Sequence, residues 1–478
     1  MPQTLVKQGG YDHREALFGV PPYGGSIQQA LYYAGSDLCD SNVNTAGGYP
    51  IRAKGSDGKM EPWPSPYILM VDRGGCTFVQ KVRNAQRSGA AGVIIADNTC
   101  LCTAGDACTS EPGVDCESRE PIMADDGSGS DISIPSFLMF KQDSDPVIAE
   151  MKANHMVRVE MSWSLPNPDA RVEYELWTTP TDAVSKEFQK QFKAAAIALD
   201  SHAFFTPHMY IYDGLKSGCQ NTAGENQCYN LCTNNGRYCA TDPDNDLDQG
   251  TSGADVVKES LRRDCIWKIY GQDNGIGTEW WDYVNEFLFR CDNAEYFAND
   301  SCANDCFTHS GVDKAKVEDC MKSAGGLTED NPNTILELQL SAKDASGVVI
   351  LPAAYVNSAA IRGSLEFATI FKAICAGFVK GSEPTVCKKC AMCTEEFKCV
   401  VDGKCPGAPG SVSTPVFAVS MAVMACFFCC CGLIQWRRSQ SQMRNQVKGI
   451  LAEYMPLDEN KPVDNSVGLT DDDDSEFT

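Results

Sequence analysis

Apolar residues along this chain fall into two rhythms, one short and continuous, the other helical. Tyr67–Val71 and Gly92–Ala96 are continuous runs of the kind that builds buried parallel strands. Between them Phe78, Val82 and Ala85 recur at helical spacing, with Gly89 placed to close the helix. Strand, turn, helix and strand in that order predict a βαβ unit with a parallel pair. "IPSFLMF" and "VRVEMSW" read as further strands around a helix opened by Asp145 and Pro146, and "SLPNPDAR" marks a boundary. Beyond it Val172, Tyr174 and Leu176 alternate as in a strand. Val184, Phe188, Phe192, Ala195 and Leu199 then share a helical face, and "HMYIYDG" follows. "VVILPAAYVN" and "LEFATIFKAICAGF" supply a second strand–helix pair after a cysteine-rich helical insertion.

One run departs from both rhythms. Pro415–Ile434 contains no charged residue and ends against Trp436, Arg437 and Arg438, about the 20 residues that cross a ~30 Å hydrocarbon core. With Arg437, Arg438, Arg444 and Lys448 on its C-terminal side, the positive-inside rule places the tail in the cytosol. The chain up to about Ser413 is then lumenal or extracellular. Cys426, Cys429, Cys430 and Cys431 are open to two readings, small apolar packing or S-palmitoylation.

Composition agrees with that topology. The 478 residues have room for two or three domains, and 40 basic against 64 acidic residues give a net charge of −24. That balance argues against nucleic acid or anionic lipid as partner and favours basic ligands. Twenty-five cysteines, scattered among Gly, Asn and Asp, fit disulfides formed in an oxidising compartment. Asn299-Asp300-Ser301 is a glycosylation acceptor of the lumenal side. The opening "MPQTLVKQGGYDHREALFGV" has no apolar core for a signal peptide, so either the N-terminus is incomplete or the membrane segment is the targeting signal.

Candidate chemistry gathers in the turn of the βαβ unit, at the strand edge where open α/β sheets bind ligands. There Asp72-Arg73-Gly74-Gly75-Cys76 offers two glycines for close backbone approach, a helix N-terminus and the donor fork of Arg73. Such a turn suits peptide carbonyls or a carboxylate, or else Asp72 and Arg73 simply pair with each other. The sequence contains no Gly-x-Ser-x-Gly, His-Glu-x-x-His or Gly-x-x-x-x-Gly-Lys motif, and its 5 histidines offer little material for a triad or metal cluster. We therefore expect no catalysis. Asp242, Asp244, Asp246 and Asp248 form an acidic stretch in which calcium is a minor possibility, because neither the frame beginning at Asp242 nor that at Asp244 supplies both the glycine and the glutamate of an EF-hand loop.

"FGVPPYGGS", "VDRGGCTFVQKVRNAQRSGAAGVIIADN" and the "IPS" strand resemble the protease-associated domain of plant-type vacuolar sorting receptors. "RVEYELWT", "NNGRYCATDPDNDLDQGTSGADVVKESLR", "WWDYVNEF" and the tail "EYMPLD" are similar to the same family in the same order. The resemblance implies a type I membrane receptor that captures soluble vacuolar hydrolases through peptides such as Asn-Pro-Ile-Arg, and it assigns ligand contact to Arg73 within Asp72–Gly75. It nominates Tyr23, Gly24, Gly25 and Ser26 for the same groove. Gly75 stands where the plant motif carries an acidic residue, so ligand preference is expected to differ.

The second region resembles a thioredoxin-like fold, with Pro352 at that fold's cis-proline. A redox enzyme of this fold needs Cys-x-x-Cys at its first helix, and "TTPTDAVSK" has no cysteine, which leaves a membrane-anchored redox or folding factor as the alternative reading. Cys387, Cys390 and Cys393 have zinc-like spacing, yet on the lumenal side a disulfide knot is expected. Plant members carry epidermal-growth-factor-like repeats before the membrane, where this chain has only that short cluster. In the tail Tyr454 and Leu457 have the spacing of a Tyr-x-x-bulky signal, which an extended peptide presents to the sheet edge of a clathrin adaptor, and Pro456 keeps the stretch out of a helix.

The expected fold is multidomain α/β: a protease-associated, ligand-binding domain at 10–165 and a thioredoxin-like domain with a cysteine-rich helical insertion at 170–382. A cysteine-rich stalk at 383–410, a single transmembrane helix at 415–435 and a cytosolic tail at 436–478 complete it. Golgi, trans-Golgi network and prevacuolar or endosomal compartments are the expected locations.

Overall fold

The computed structural model describes residues 5–40, 47–104, 108, 116–348, 350–406 and 414–454. They form two compact units, one ending at Pro406 and one carrying the C-terminal helix.

In the first domain β1 (His13–Glu15), β2 (Ser26–Tyr33), β3 (Tyr67–Asp72), β4 (Ala90–Ala96), β5 (Ser136–Met139) and β6 (Val157–Ser162) build one sheet in the order β1-β5-β4-β3-β2-β6. The four central strands are parallel and the two edges antiparallel. Successive residues of β3 serve opposite faces. Leu69 and Val71 pack with Val79, Val82 and Ala85 of α1 (Phe78–Arg87), while Ile68 and Met70 pack with Val147 and Met151 of α2 (Lys141–Lys152). This is why a continuous apolar run was needed. The predicted βαβ unit is present. α2 differs from expectation, starting at Lys141 with Pro146 inside it, because Phe140 and not Asp145 occupies the cap position.

The second domain carries the sheet β13-β12-β7-β8, from β7 (Val172–Thr178), β8 (Ala203–Met209), β12 (Ala353–Val356) and β13 (Ala359–Ile361). β7 and β8 run parallel, β12 antiparallel to β7. α3 (Ala183–Leu199) and α9 (Phe367–Ala376) bury Phe188, Phe192, Leu199, Phe371 and Ile374 in the core shared with this sheet. Val184, expected on the buried face of α3, is 53% exposed and lines a cleft instead. The Leu351–Pro352 bond is cis, as the thioredoxin-like resemblance implied.

Between β8 and β12 lies the insertion. It contains a small sheet of β9 (Tyr212–Asp213), β10 (Cys232–Thr233) and β11 (Tyr238–Cys239), then α4 (Gly253–Tyr270), α5 (Thr278–Arg290), α6 (Asp300–Ser310), α7 (Lys314–Ser323) and α8 (Thr334–Ser346). Trp267, Trp280 and Trp281 close around Phe205 of β8, with ring centroids 4.9–5.4 Å apart. Disulfides Cys265–Cys320 and Cys291–Cys302 staple the helices.

The cysteine cluster is not a separate stalk. α10 (Thr385–Cys390) and α11 (Glu396–Asp402) lie against α3 and α9. Cys375–Cys387 joins them to α9, Phe397 meets Phe367 at 5.2 Å, and Lys372 pairs with Glu396. Cys390–Cys399 and Cys393–Cys405 complete the knot, so the three cysteines with zinc-like spacing are consumed as disulfides.

α12 (Thr414–Tyr454) is one uninterrupted helix of 41 residues, roughly 60 Å long. Its segment Met421–Arg444 is long and apolar enough to cross a membrane. The helix continues past the expected span at 415–435 through residues 436–454 of the expected tail, because no proline intervenes before Pro456; Tyr454, expected in an extended stretch, is its last residue. Leu457 lies outside the described residues.

Candidate ligand-binding site

The turn after β3 is fixed from three sides. Gly74 and Gly75 have φ of +105° and +78°, conformations that favour glycine. A Cβ on Gly75 would stand 2.2 Å from Asp37 Oδ2 and 2.9 Å from Cys39 Sγ, so Asp37 fills the space a side chain at 75 would take. Cys39–Cys76 ties the turn to the loop after β2. Lys81, one turn into α1 and fully buried, donates to the Asp37 carbonyl at 2.6 Å and to the Gly74 carbonyl. Burial lowers its pKa.

Asp72 and Arg73 do not pair with each other. Asp72 accepts from the Tyr33 hydroxyl at 2.9 Å, whereas Arg73 donates to Asp97 at 2.9 Å and pairs with Glu117 at 2.7 Å. These partners, Glu117 first, raise the arginine's pKa. Two ion pairs leave N–H groups of the guanidinium unused, and the Arg73 side chain remains 23% exposed. Asp97 Oδ2 and Glu117 Oε2 are buried without a partner. Asp37, Asp72, Asp97 and Glu117 outnumber Arg73 and Lys81, so the site is acidic overall and suits a basic ligand that also offers carbonyls. The helix N-terminus is less open than expected, because Thr77 caps it by accepting from Gln80 N at 3.2 Å.

The stretch Tyr23–Ser26 does not join this groove. Ser26 begins β2 at the end of the sheet opposite to Arg73, since β2 and β3 are parallel and Tyr33, not Ser26, lies beside Met70. Tyr23 instead latches the two domains. Its hydroxyl donates to Arg362 O at 3.0 Å and accepts from Arg362 N at 2.5 Å. A Cβ on Gly24 would meet Ala376 at 2.9 Å, and Gly363 N donates to Ala16 O at 2.9 Å. Gly25 stays with its own domain, its amide donating to Pro22 O.

Asp242, Asp244 and Asp246 spend carboxylate oxygens on amides of their own loop, at Asp244, Asn245, Asp246, Asp248 and Thr251. They do not converge as calcium ligands. Among the described residues, the trios with ligand atoms within reach of one ion are Cys219, Cys232, Cys239 and Cys291, Cys302, Cys306, and all but Cys306 are in disulfides. Cys306 is buried, its pKa pushed up to about 12 by desolvation. At the first helix of the second domain Asp182 caps α3, accepting from Ser185 N at 2.6 Å where a redox enzyme would carry a thiol. His208 stacks on Trp177 at 4.3 Å and bonds Gln339, a structural position. Asn299 is exposed and caps α6 through its Oδ1, leaving its amide nitrogen free.

Sequence reasoning missed Lys81, Asp97 and Glu117. Lys81 interrupts the apolar face of α1 between Val79 and Val82, which was the one available signal.

Two α/β domains latched through Tyr23, a disulfide-rich insertion and one helix able to span a membrane define a PA-domain protein with a thioredoxin-like partner domain. Residues 27–146 match the PA domain, and residues 172–375 match the vacuolar sorting receptor thioredoxin-like domain. The chain is 34% identical to vacuolar-sorting receptor 4 of Arabidopsis thaliana over 404 residues, covering 81% of this chain and 60% of that one. It is 35% identical to vacuolar-sorting receptor 1 of Pisum sativum over 395 residues, covering 80% and 59%. The chain thus carries a PA domain and a thioredoxin-like domain of the vacuolar-sorting receptor kind, and is similar to those receptors over about four-fifths of its length. It spans about 60% of the length of the curated relatives it matches. An aminopeptidase from Aneurinibacillus is similar over 31% of the chain and 26% of its own, with 20% identity and a TM-score of 0.20.

Proposed function

We propose that this protein is a single-pass membrane receptor that binds soluble vacuolar cargo through sorting peptides and does no chemistry on them. The observation that carries the reading is Arg73, held by Asp97 and Glu117 at the C-terminal edge of the sheet with donors to spare, in an acidic setting. A peptide of the Asn-Pro-Ile-Arg kind offers carbonyls to Arg73 and a cation to the surrounding carboxylates. Asp72, Gly74 and Gly75 shape the site, while Tyr23 and Gly24 serve the domain contact. The names of the relatives support vacuolar cargo as the partner.

In this reading α12 spans the membrane, and Tyr454 with Leu457 recruits a clathrin adaptor for traffic between Golgi, endosome and vacuole. Asn299 carries a glycan in the lumen. Binding of Asn-Pro-Ile-Arg peptides to the full chain at neutral and acidic pH, with Arg73→Ala alongside, tests the lumenal half. Saturable binding at neutral pH, weakened at least about thirtyfold by Arg73→Ala under conditions where the variant, though less stable, is still folded, is expected for an arginine hot spot. Equal binding by Arg73→Ala would remove the site. Tyr454→Ala tests the tail, and accumulation of the variant at the cell surface is the expected result.

A further inference from the structure

Among the described residues outside α12, Cys306 is the one cysteine not joined in a disulfide. It does not stand alone. α6 carries Cys302 in its first turn and Cys306 one turn further on, so the two residues share a helix face. That face meets Cys291, which caps the C-terminal end of α5. Cys291 is bonded to Cys302, and the Cys306 Sγ lies 3.5 Å from the Cys291 Sγ. All three sulfurs fall within 4.8 Å of one another. A thiol in contact with a disulfide sulfur stands where thiol–disulfide exchange begins.

The two candidate partners of Cys291 differ in their surroundings. Cys306 is fully buried, and desolvation is the largest cause of its raised pKa. Glu259 of α4, Glu286 of α5 and Asp305 of its own helix face it with negative charge, which Arg290 of α5 offsets in part. Cys302 is partly exposed and occupies the third position of α6, where the amides of a helix N-terminus favour a thiolate. Asp300, the acid nearest to it in sequence, is engaged by Lys258 and Arg262.

We propose that Cys291 is shared between two partners, and that exchange converts the buried Cys306 thiol into a surface thiol at Cys302, a modification site that the present pairing conceals. Cys306 gives its proton to solvent base, and its thiolate attacks the Cys291 sulfur. The Cys291–Cys302 bond breaks, and Cys302 leaves as a thiolate that takes up a proton. One disulfide and one thiol stand on each side, so the step needs no oxidant or reductant. The freed Cys302 thiolate is open to a low-molecular-weight disulfide, which transfers one half to it and releases the other half as a thiolate. Because so little of Cys306 is ionised at neutral pH, exchange is slow there and speeds up about tenfold per unit of pH.

The test incubates the full chain in lipid nanodiscs with iodoacetamide at pH 7 and pH 9, then unfolds it in excess N-ethylmaleimide. Cleavage before Asp292, Asp300, Asp305 and Asp313 separates the three cysteines, so mass spectrometry reads which is labelled and which two are linked. Carbamidomethyl groups are expected on Cys302, together with a Cys291–Cys306 link, appearing about a hundredfold faster at pH 9. Label on Cys306 with the Cys291–Cys302 link intact, or no label on either at pH 9, would overturn the proposal. Cys306→Ala, its folding checked by thermal melting, is expected to leave Cys302 unlabelled; labelling there would mean that the disulfide opens by another route. Cys302→Ser is expected to fold with a Cys291–Cys306 link, and two free thiols in that variant would show that the second pairing does not fit the fold.

Discussion

Two loops of this molecule occupy the same place in the same kind of structure. Asp72–Cys76 follows the C-terminal end of β3 and leads into α1, and Thr178–Asp182 follows the C-terminal end of β7 and leads into α3. The first is spread open by two glycines, pinned by Cys39–Cys76 and Lys81, and keeps a partly exposed guanidinium. The second is closed: Asp182 caps the helix, and Gln189 of α3 donates to the buried Thr178 hydroxyl at 2.9 Å. Topology thus provides the position, and the groups left unspent decide whether it binds anything.

Breaking the pins of the first loop should give the largest effect. Lys81→Met strips two partly buried carbonyls of their donor, and a stability loss of about 2 kcal/mol is expected by chemical denaturation. Peptide affinity should fall about tenfold as the loop loosens, a change that a titration at fixed temperature can read. Wild-type affinity in a destabilised Lys81→Met would show that the loop needs no clamp.

Asp182→Ala makes the matching change in the second loop. Losing the α3 cap costs about 1 kcal/mol, and peptide binding at the Arg73 site should not move. A comparable loss of affinity would mean that the closed loop takes part in recognition after all.

The smallest effect concerns a carboxyl buried behind that second loop. Asp264 is fully buried, receives a bond from Gln339 at 3.1 Å and leaves its other oxygen unpaired. Burial raises its pKa well above the carboxylate range. The native state therefore holds this proton more firmly than the unfolded chain, and the group's contribution to stability falls as pH rises from the unfolded pKa to the folded one. Asp264→Asn should add about 0.5 kcal/mol at neutral pH and flatten the decline over that window. Unaltered melting curves as the pH is raised from about 4, the ordinary carboxylate value, would count against the buried acid.

Much of the architecture was legible in the residues. Tyr67–Val71 had to be buried on both faces, and α1 showed its period through Phe78, Val82 and Ala85. Pro352 stood where the resemblance required it, and the lumenal setting turned Cys387, Cys390 and Cys393 toward disulfides. What escaped depends on contacts between distant parts of the chain. Arg73 offered its neighbour Asp72 as a partner, yet the fold delivers Asp97 and Glu117, and no local pattern carries that choice. Tyr23 looked like part of the groove because its role lies in Arg362, on the other domain. Val184 kept the helical period but lies in the first turn of α3 and lines a cleft, where periodicity no longer implies burial.

The unbroken helix α12 has a geometric consequence for the tail. With a ~30 Å slab around its apolar part, the rest of the helix stands off the lipid as a mast, lifting position 454 roughly 15–30 Å clear of the hydrocarbon. A mast has a bearing as well as a height. Removing one residue between Arg438 and Lys448 swings Tyr454 by about 100° around the axis, toward a different neighbour. Removing four nearly restores the bearing and lowers it by about 6 Å, so orientation and reach can be varied separately by length alone.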